Sequence, residues 1–181
     1  DMASLMGRIS AAAAGANVDK SVKGVAQVGA LAQIARKGGG TAEGATTAVE
    51  NVFRAMTSHA DVFKKSGVDV FVAGTKNRQL RNTNDVLVES FKKTEGDKTS
   101  RGDSGAEAEP VINILQSKFD EEMVRSKDLN KATEAVRREL EEAANVTDAR
   151  NTIEEAATAA QQSTSAKITA AWEKATGKVT D

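Results

Sequence analysis

A mainly α-helical fold with one small β-hairpin is predicted by three observations. Apolar residues recur at helical spacing through most of the chain, and a single stretch, VDVFVAGTKNRQL, alternates with period two instead. Between the helical pieces stand residues that start or stop helices, among them the Gly38–Gly40 run and the one proline, Pro110.

Residues 2 to 36 read as helix. Leu5, Met6, Ile9, Ala12 and Ala13 keep helical spacing, and so do Val22, Val25, Ala26, Val28, Leu31, Ala32 and Ala35. Gly15 to Asp19 are placed to break this stretch in two. Arg36 and Lys37 complement the negative end of the helix dipole, and Gly38 is expected as a left-handed cap. Thr41 is a natural N-cap for the next helix, with Glu43 in its first turn. Val49, Val52, Phe53 and Met56 form its apolar stripe, which closes near Ser58-His59. A short helix from Asp61 to Ser66 is expected to stop at Gly67.

The hairpin is expected near 68–81. Val68, Val70 and Val72 lie on one side of the alternation, 73–78 supply the turn, and Leu80 begins the return. Thr83 or Asn84 should cap a helix whose inner face is Val86, Leu87, Ser90 and Phe91. The run KKTEGDKTSRGDSGAEAEP reads as a polar loop. Pro110 fits the first turn of the following helix, where its missing N–H costs nothing. Val111, Ile112, Ile114, Leu115 and Phe119 supply that helix's apolar side.

Beyond Phe119 the chain is dominated by Ala, Glu, Lys, Arg, Gln and Thr. Leu129, Val136 and Ala143 are seven apart with Leu140 between them. Val146, Ala149, Ile153, Ala156 and Ala160 make a second, shifted seam, restarted by a capping box at Thr152 and Glu155. Two regions result: a helical core over 1–119, and an extended helical or coiled-coil tail over 120–181.

Composition narrows the function. Of 181 residues, 39% are hydrophobic but only 3% aromatic, so alanine carries much of the apolar content and either a thin core or helices packed closely against each other are expected. A net charge of −1 lacks the basic excess that releases counterions from nucleic acid, and no sequence-specific nucleic-acid partner is expected. With no cysteine there is neither a disulfide framework nor thiolate chemistry. No apolar run approaches the length of a membrane span, and no signal-peptide pattern opens the chain. The start at Asp1-Met2 fits a chain that is processed or cut from something longer.

The candidate chemistry fails residue by residue. Gly39 to Thr46 fits most of a phosphate-binding loop, yet a helix precedes it and Ala45 stands where the lysine belongs. Thr46 alone cannot hold a magnesium ion. His59, the one histidine, has Asp61 nearby but no partners for a triad or metal site. Glu121-Glu122 and Glu141-Glu142 are interleaved with basic residues. Glu134 with Arg138, and Glu139 among its basic neighbours, read as solvated helix faces. Arg101-Gly102-Asp103 is an RGD tripeptide in an expected exposed loop, without other marks of an adhesive protein. The Ala/Ser/Thr/Gln run from Ala156 to Ala171 reads as helix surface rather than a signalling helix. No catalytic, cofactor-binding or metal-binding residue is therefore assigned, and no enzyme, cofactor or small-molecule substrate is expected.

One resemblance is specific. VGALAQIARKGGGTAEGATTAVENVFRAM, FKKSGVDVF, LRNTNDVLVESFKK and GAEAEPVINILQSKF resemble, in this order, the core region of bacteriophage tail tape measure proteins. The likeness covers roughly residues 20 to 119 and involves no catalytic motif. Members are usually far longer, which implies a fragment or a short member. Many carry a Phe-Gly pair before the last of these helices, where this chain has Ser104-Gly105-Ala106-Glu107.

The resemblance implies a structural virion protein in the tail tube lumen, present in the bacterial host cytoplasm during assembly. It would act as tail-length ruler and scaffold for tube assembly, and be expelled at DNA delivery. Self-association as a trimer or hexamer is implied, with tail tube, tail tip or baseplate proteins and tail assembly chaperones as partners. Any membrane contact would come through parts outside this chain. The alternative readings are a helical interaction module, such as an assembly chaperone or secreted effector, and a wall hydrolase. The hydrolase lacks any supporting constellation.

Overall fold

The computed structural model describes residues 8, 11–18, 22–38, 41–76, 78–101 and 108–144. The fold is mostly helical, and among the described residues there is no sheet. Helical residues at 8 and 11–15 come first, and a turn at 16–17 precedes α1, Val22–Lys37. Then follow α2, Ala42–Ser58, and α3, Ala60–Lys65. An irregular segment leads to α4, Thr83–Lys93, which is followed by α5, Glu109–Ser126, and α6, Leu129–Ala144.

The start of α2 is built as its residues dictate. Thr41 is extended at φ −66°, ψ 165°, and its Oγ1 accepts the Gly44 N–H at 3.1 Å. That bond satisfies one of the donors a helix start leaves open. Removing it in Thr41→Ala is expected to cost about 1 kcal/mol, read as a lower urea midpoint at unchanged slope. The α2 stripe of Val49, Val52, Phe53 and Met56 is buried, and it packs with Leu31, Ile34 and Ala35 of α1 in one core. Phe63 of α3 and Val86, Leu87 and Phe91 of α4 join the same core.

Four local expectations are corrected. Gly38 is not left-handed: the left-handed glycines among the described residues are Gly67, Gly74 and Gly96. It is small because a Cβ there would stand 3.3 Å from the carbonyl oxygens of both Ala35 and Pro110. α4 is capped one residue early, by Asn82, whose side chain accepts the Asp85 N–H at 3.1 Å. The buried Gln27 accepts the Thr83 N–H at 3.0 Å from across the core and secures a second open donor. The third correction concerns the expected hairpin near 68–81, where one isolated antiparallel bridge, Phe71 with Leu80, stands in place of a ladder. Its bonds run from the Val72 N–H to the Gln79 carbonyl at 2.8 Å and from the Arg81 N–H to the Val70 carbonyl at 2.9 Å. Val68 and Val70 are buried, but Val72 has left the core and is 40% exposed.

The fourth concerns the C-terminal region. Of the expected extended tail over 120–181, residues 120–126 complete α5, and α6 folds back onto the bundle at Lys127. Ala132, Val136, Leu140 and Ala143 are buried in the core, where α6 meets α1, α4 and α5. The alanines allow close approach, and the larger Val136 and Leu140 fill the space between helices. The second seam, 146 to 160, lies outside the described residues, as do the Thr152–Glu155 capping box and Ala156 to Ala171.

Candidate functional site

The residues singled out in the sequence do not converge. Thr46, from the glycine loop, is buried in α2 and its hydroxyl donates to the Ala42 carbonyl at 2.9 Å. That bond turns it along its own helix rather than toward any loop-bound phosphate. His59 is the joint between α2 and α3: its N–H donates to the Ala55 carbonyl and its own carbonyl accepts from Phe63. Asp61 lies on the exposed side of α3.

The acidic pairs are divided between interior and surface. Glu121 is exposed and accepts the Ser117 hydroxyl at 2.9 Å. Glu122 is buried beneath Arg125, whose guanidinium holds its carboxyl below the usual range. Glu139, also buried, pairs with Lys37 of α1 at 2.8 Å and ties α6 to that helix. Glu134 approaches Arg137 at 3.5 Å, and Arg137 also reaches Asp85 at 3.6 Å. The Lys37–Glu139 and Asp85–Arg137 pairs tie helix to helix, and the others lie within one helix. Among the described residues, no group of three or more His, Cys, Asp and Glu could hold a metal ion.

The most constrained polar arrangement was read in the sequence as an exposed loop. Arg101, the first residue of the RGD tripeptide, is 1% exposed. Its guanidinium lies 4.0 Å above the centre of the Phe91 ring. Nη1 donates to the Gln116 Oε1 at 2.7 Å and to the Gly96 carbonyl at 3.2 Å. Gln116 in turn donates to Asp120 at 2.8 Å.

The chain reaches Arg101 through a helix end with reciprocal backbone bonds. Glu95 is left-handed at φ 52°; its N–H donates to Lys92 at 3.4 Å, and the Gly96 N–H donates to Phe91 at 3.0 Å. This is the Schellman pattern, with glutamate at the position usually given to glycine. Asp97 then closes a tight turn. Its carboxylate accepts the Ser100 hydroxyl at 2.5 Å and the Thr99 hydroxyl at 2.8 Å, and these bonds lower its pKa. Finally the Ser66 hydroxyl donates to the Ser100 carbonyl at 2.6 Å and pins the turn to the end of α3. A helix end followed by Gly-Asp was the available signal; the composition of the loop obscured it.

Surface clefts among the described residues remain for contact with other molecules. One, about 800 Å³, lies between α3 and residues 69–73 and includes Lys64, Asp69 and Phe71, with Arg78 stacked 4.4 Å from the Phe71 ring centre. Another, about 620 Å³, lies along α5 and ends at Val124, which is 81% exposed. Mixed charge and isolated apolar residues suit a protein contact and arrange no acid–base pair around a reacting atom. No described helix is long and apolar enough to cross a membrane. Comparisons with protein-family models, curated proteins and solved structures give no match to the chain.

Proposed function

We propose that the chain is a structural protein of a bacteriophage tail, a ruler and scaffold for the tail tube that works without an active site. The observation that carries this reading is the ordered run of four segments over residues 20 to 119. The described parts of that run are consecutive packed elements: α1, α2, α3 with the Gly67 turn, α4 and α5. The reading is further supported by the surface, which offers clefts of mixed charge for protein contact.

Helix rises about 1.5 Å per residue, so length is measured only by helices laid end to end. In the bundle they lie side by side. On this reading the bundle is a folded block within the ruler, and it associates with itself and with tube, tip and chaperone proteins. The finer features of this reading are a hairpin near 68–81, extended from the single Phe71–Leu80 bridge, and a coiled coil in the tail. A compact helical bundle also fits the alternative of an assembly chaperone, which binds its client but leaves before the particle is complete.

Both readings are tested by coexpression with a tail tube protein from the same genome. A ruler co-purifies with tube protein, self-associates in light scattering, and is found by peptide mass spectrometry in finished tails. A chaperone co-purifies but is missing from finished tails. A strictly monomeric chain that binds no tube protein overturns the assignment.

A further inference from the structure

Between α5 and α6 only Lys127 and Asp128 leave helical conformation. Lys127 is left-handed at φ 53°, ψ 30°, a region where a residue carrying a Cβ is sterically disfavoured. No glycine or proline stands between 111 and 144, so the local sequence does not demand a turn. The side-chain cap that starts α6 holds it instead. The Lys127 N–H donates to the Met123 carbonyl at 2.9 Å, and the Asp128 carboxylate accepts the Asn130 N–H at 2.9 Å. A continuous helix would keep the first, which is already the ordinary i to i−4 backbone bond, and would give the Asn130 N–H a backbone acceptor in place of the Asp128 carboxylate.

The two helices also share a phase. Ile112, Leu115, Phe119 and Glu122 are buried on α5. Thr133, Val136, Leu140 and Ala143 are buried on α6. Half-buried Ser126 and Leu129 stand on either side of the hinge. From 112 to 143 these positions alternate in steps of three and four without interruption. Straightened, residues 109–144 would form one helix about 54 Å long with a single continuous inner stripe.

Straightening lifts α6 off α1 and α4 and uncovers the core beneath it. The surface that fits this gap is the α6 of another copy. We infer that two copies of the chain exchange α6 through opening of the Lys127 hinge. The pair keeps the contacts of the folded bundle, now made between copies, and relieves Lys127 of its left-handed conformation. Short hinges under strain favour such exchange. The exchange stands apart from the tail assignment, because tube binding does not require it.

The chain has no cysteine, so N113C and E141C place single fluorophores on exposed positions of α5 and α6. Within the hairpin the two positions lie within about 20 Å, and along a straight helix about 42 Å apart. Copies carrying one label each are mixed, partly unfolded in urea and refolded at high concentration. Light scattering should then show a dimer in which labels on different copies are close. The doubly labelled chain, diluted into unlabelled protein, should show the long separation. Lys127→Gly should weaken dimerisation at least roughly tenfold, since glycine favours the turn and disfavours the helix, while Lys127→Ala should strengthen it. A chain that stays monomeric at millimolar concentration overturns the exchange. So does a dimer whose doubly labelled chain keeps the short distance, or equal dimerisation of both variants. If exchange fails while tube protein still binds, only the exchange is lost.

Discussion

Gly96→Ala is expected to destabilise the bundle by roughly 2–4 kcal/mol and to lower the midpoint of thermal unfolding by about 10 °C. Two costs combine. Gly96 sits at φ +78°, which an alanine adopts only with strain. The larger cost is steric: the new Cβ would stand 2.5 Å from Cε1 and 2.8 Å from Cδ1 of Phe119. Phe119 is 2% exposed and packs against Phe91 with ring centres 5.5 Å apart. It cannot swing into solvent, so the α4–α5 contact must open. Gly74→Ala separates the two costs, because Gly74 is also left-handed, at φ +75°, but has nothing within 4 Å of its Cβ position. That variant should lose only about 1 kcal/mol. Adding Phe119→Leu to Gly96→Ala should recover part of the loss, as expected when two residues share one space. Equal losses for Gly96→Ala and Gly74→Ala in urea melts would refute the packing argument.

The features legible in the sequence are those that depend on neighbours along the chain. Val49, Val52, Phe53 and Met56 announce the buried face of α2 by spacing alone, and Thr41 announces its start because its bond spans three residues. Gly67 ends the short α3 region at φ +82° for the expected reason. The misread features depend on residues brought together from afar. Gly38 does follow the last residue of α1, yet it is not the left-handed cap expected, and its small size answers to the Pro110 carbonyl. Arg101 looks solvated, because neither Phe91 nor Gln116 is visible as its partner until α4 and α5 converge. The fold-back at Lys127 has one weak local signal, Asp128, whose carboxylate caps α6; the left-handed lysine before it answers to the packing of Val136 and Leu140 and not to local preference. The charged tail suggests extension because Val136 and Leu140 on its inner face are flanked by Ala132 and Ala143, and alanine suits a long coil and a close-packed bundle equally.

Arg101→Ala should cost roughly 3–5 kcal/mol, from the lost packing and from polar groups left without their donor. The guanidinium joins three elements at once. It covers Phe91 of α4, bonds the Gly96 carbonyl in the turn, and reaches Gln116 of α5. Arg101→Lys keeps the charge but loses the planar fork, so it cannot stack on the ring and bond both oxygens together. It should recover less than half of the loss. Arg101→Met restores volume and contact with Phe91 without donors, and its stability relative to alanine separates packing from hydrogen bonding. Full stability of the methionine variant in urea melts would show that the guanidinium acts as filler. The placement of Arg101 also decides the fate of the RGD tripeptide. An adhesive RGD must present its arginine to the receptor, whereas here presentation would first require breaking the contacts that hold the turn between α4 and α5. The folded chain should therefore not support integrin-dependent cell attachment, and the urea-unfolded chain adsorbed to a surface should do so better. Attachment by the native chain at the level of a free RGD peptide would show that Arg101 leaves the core at little cost.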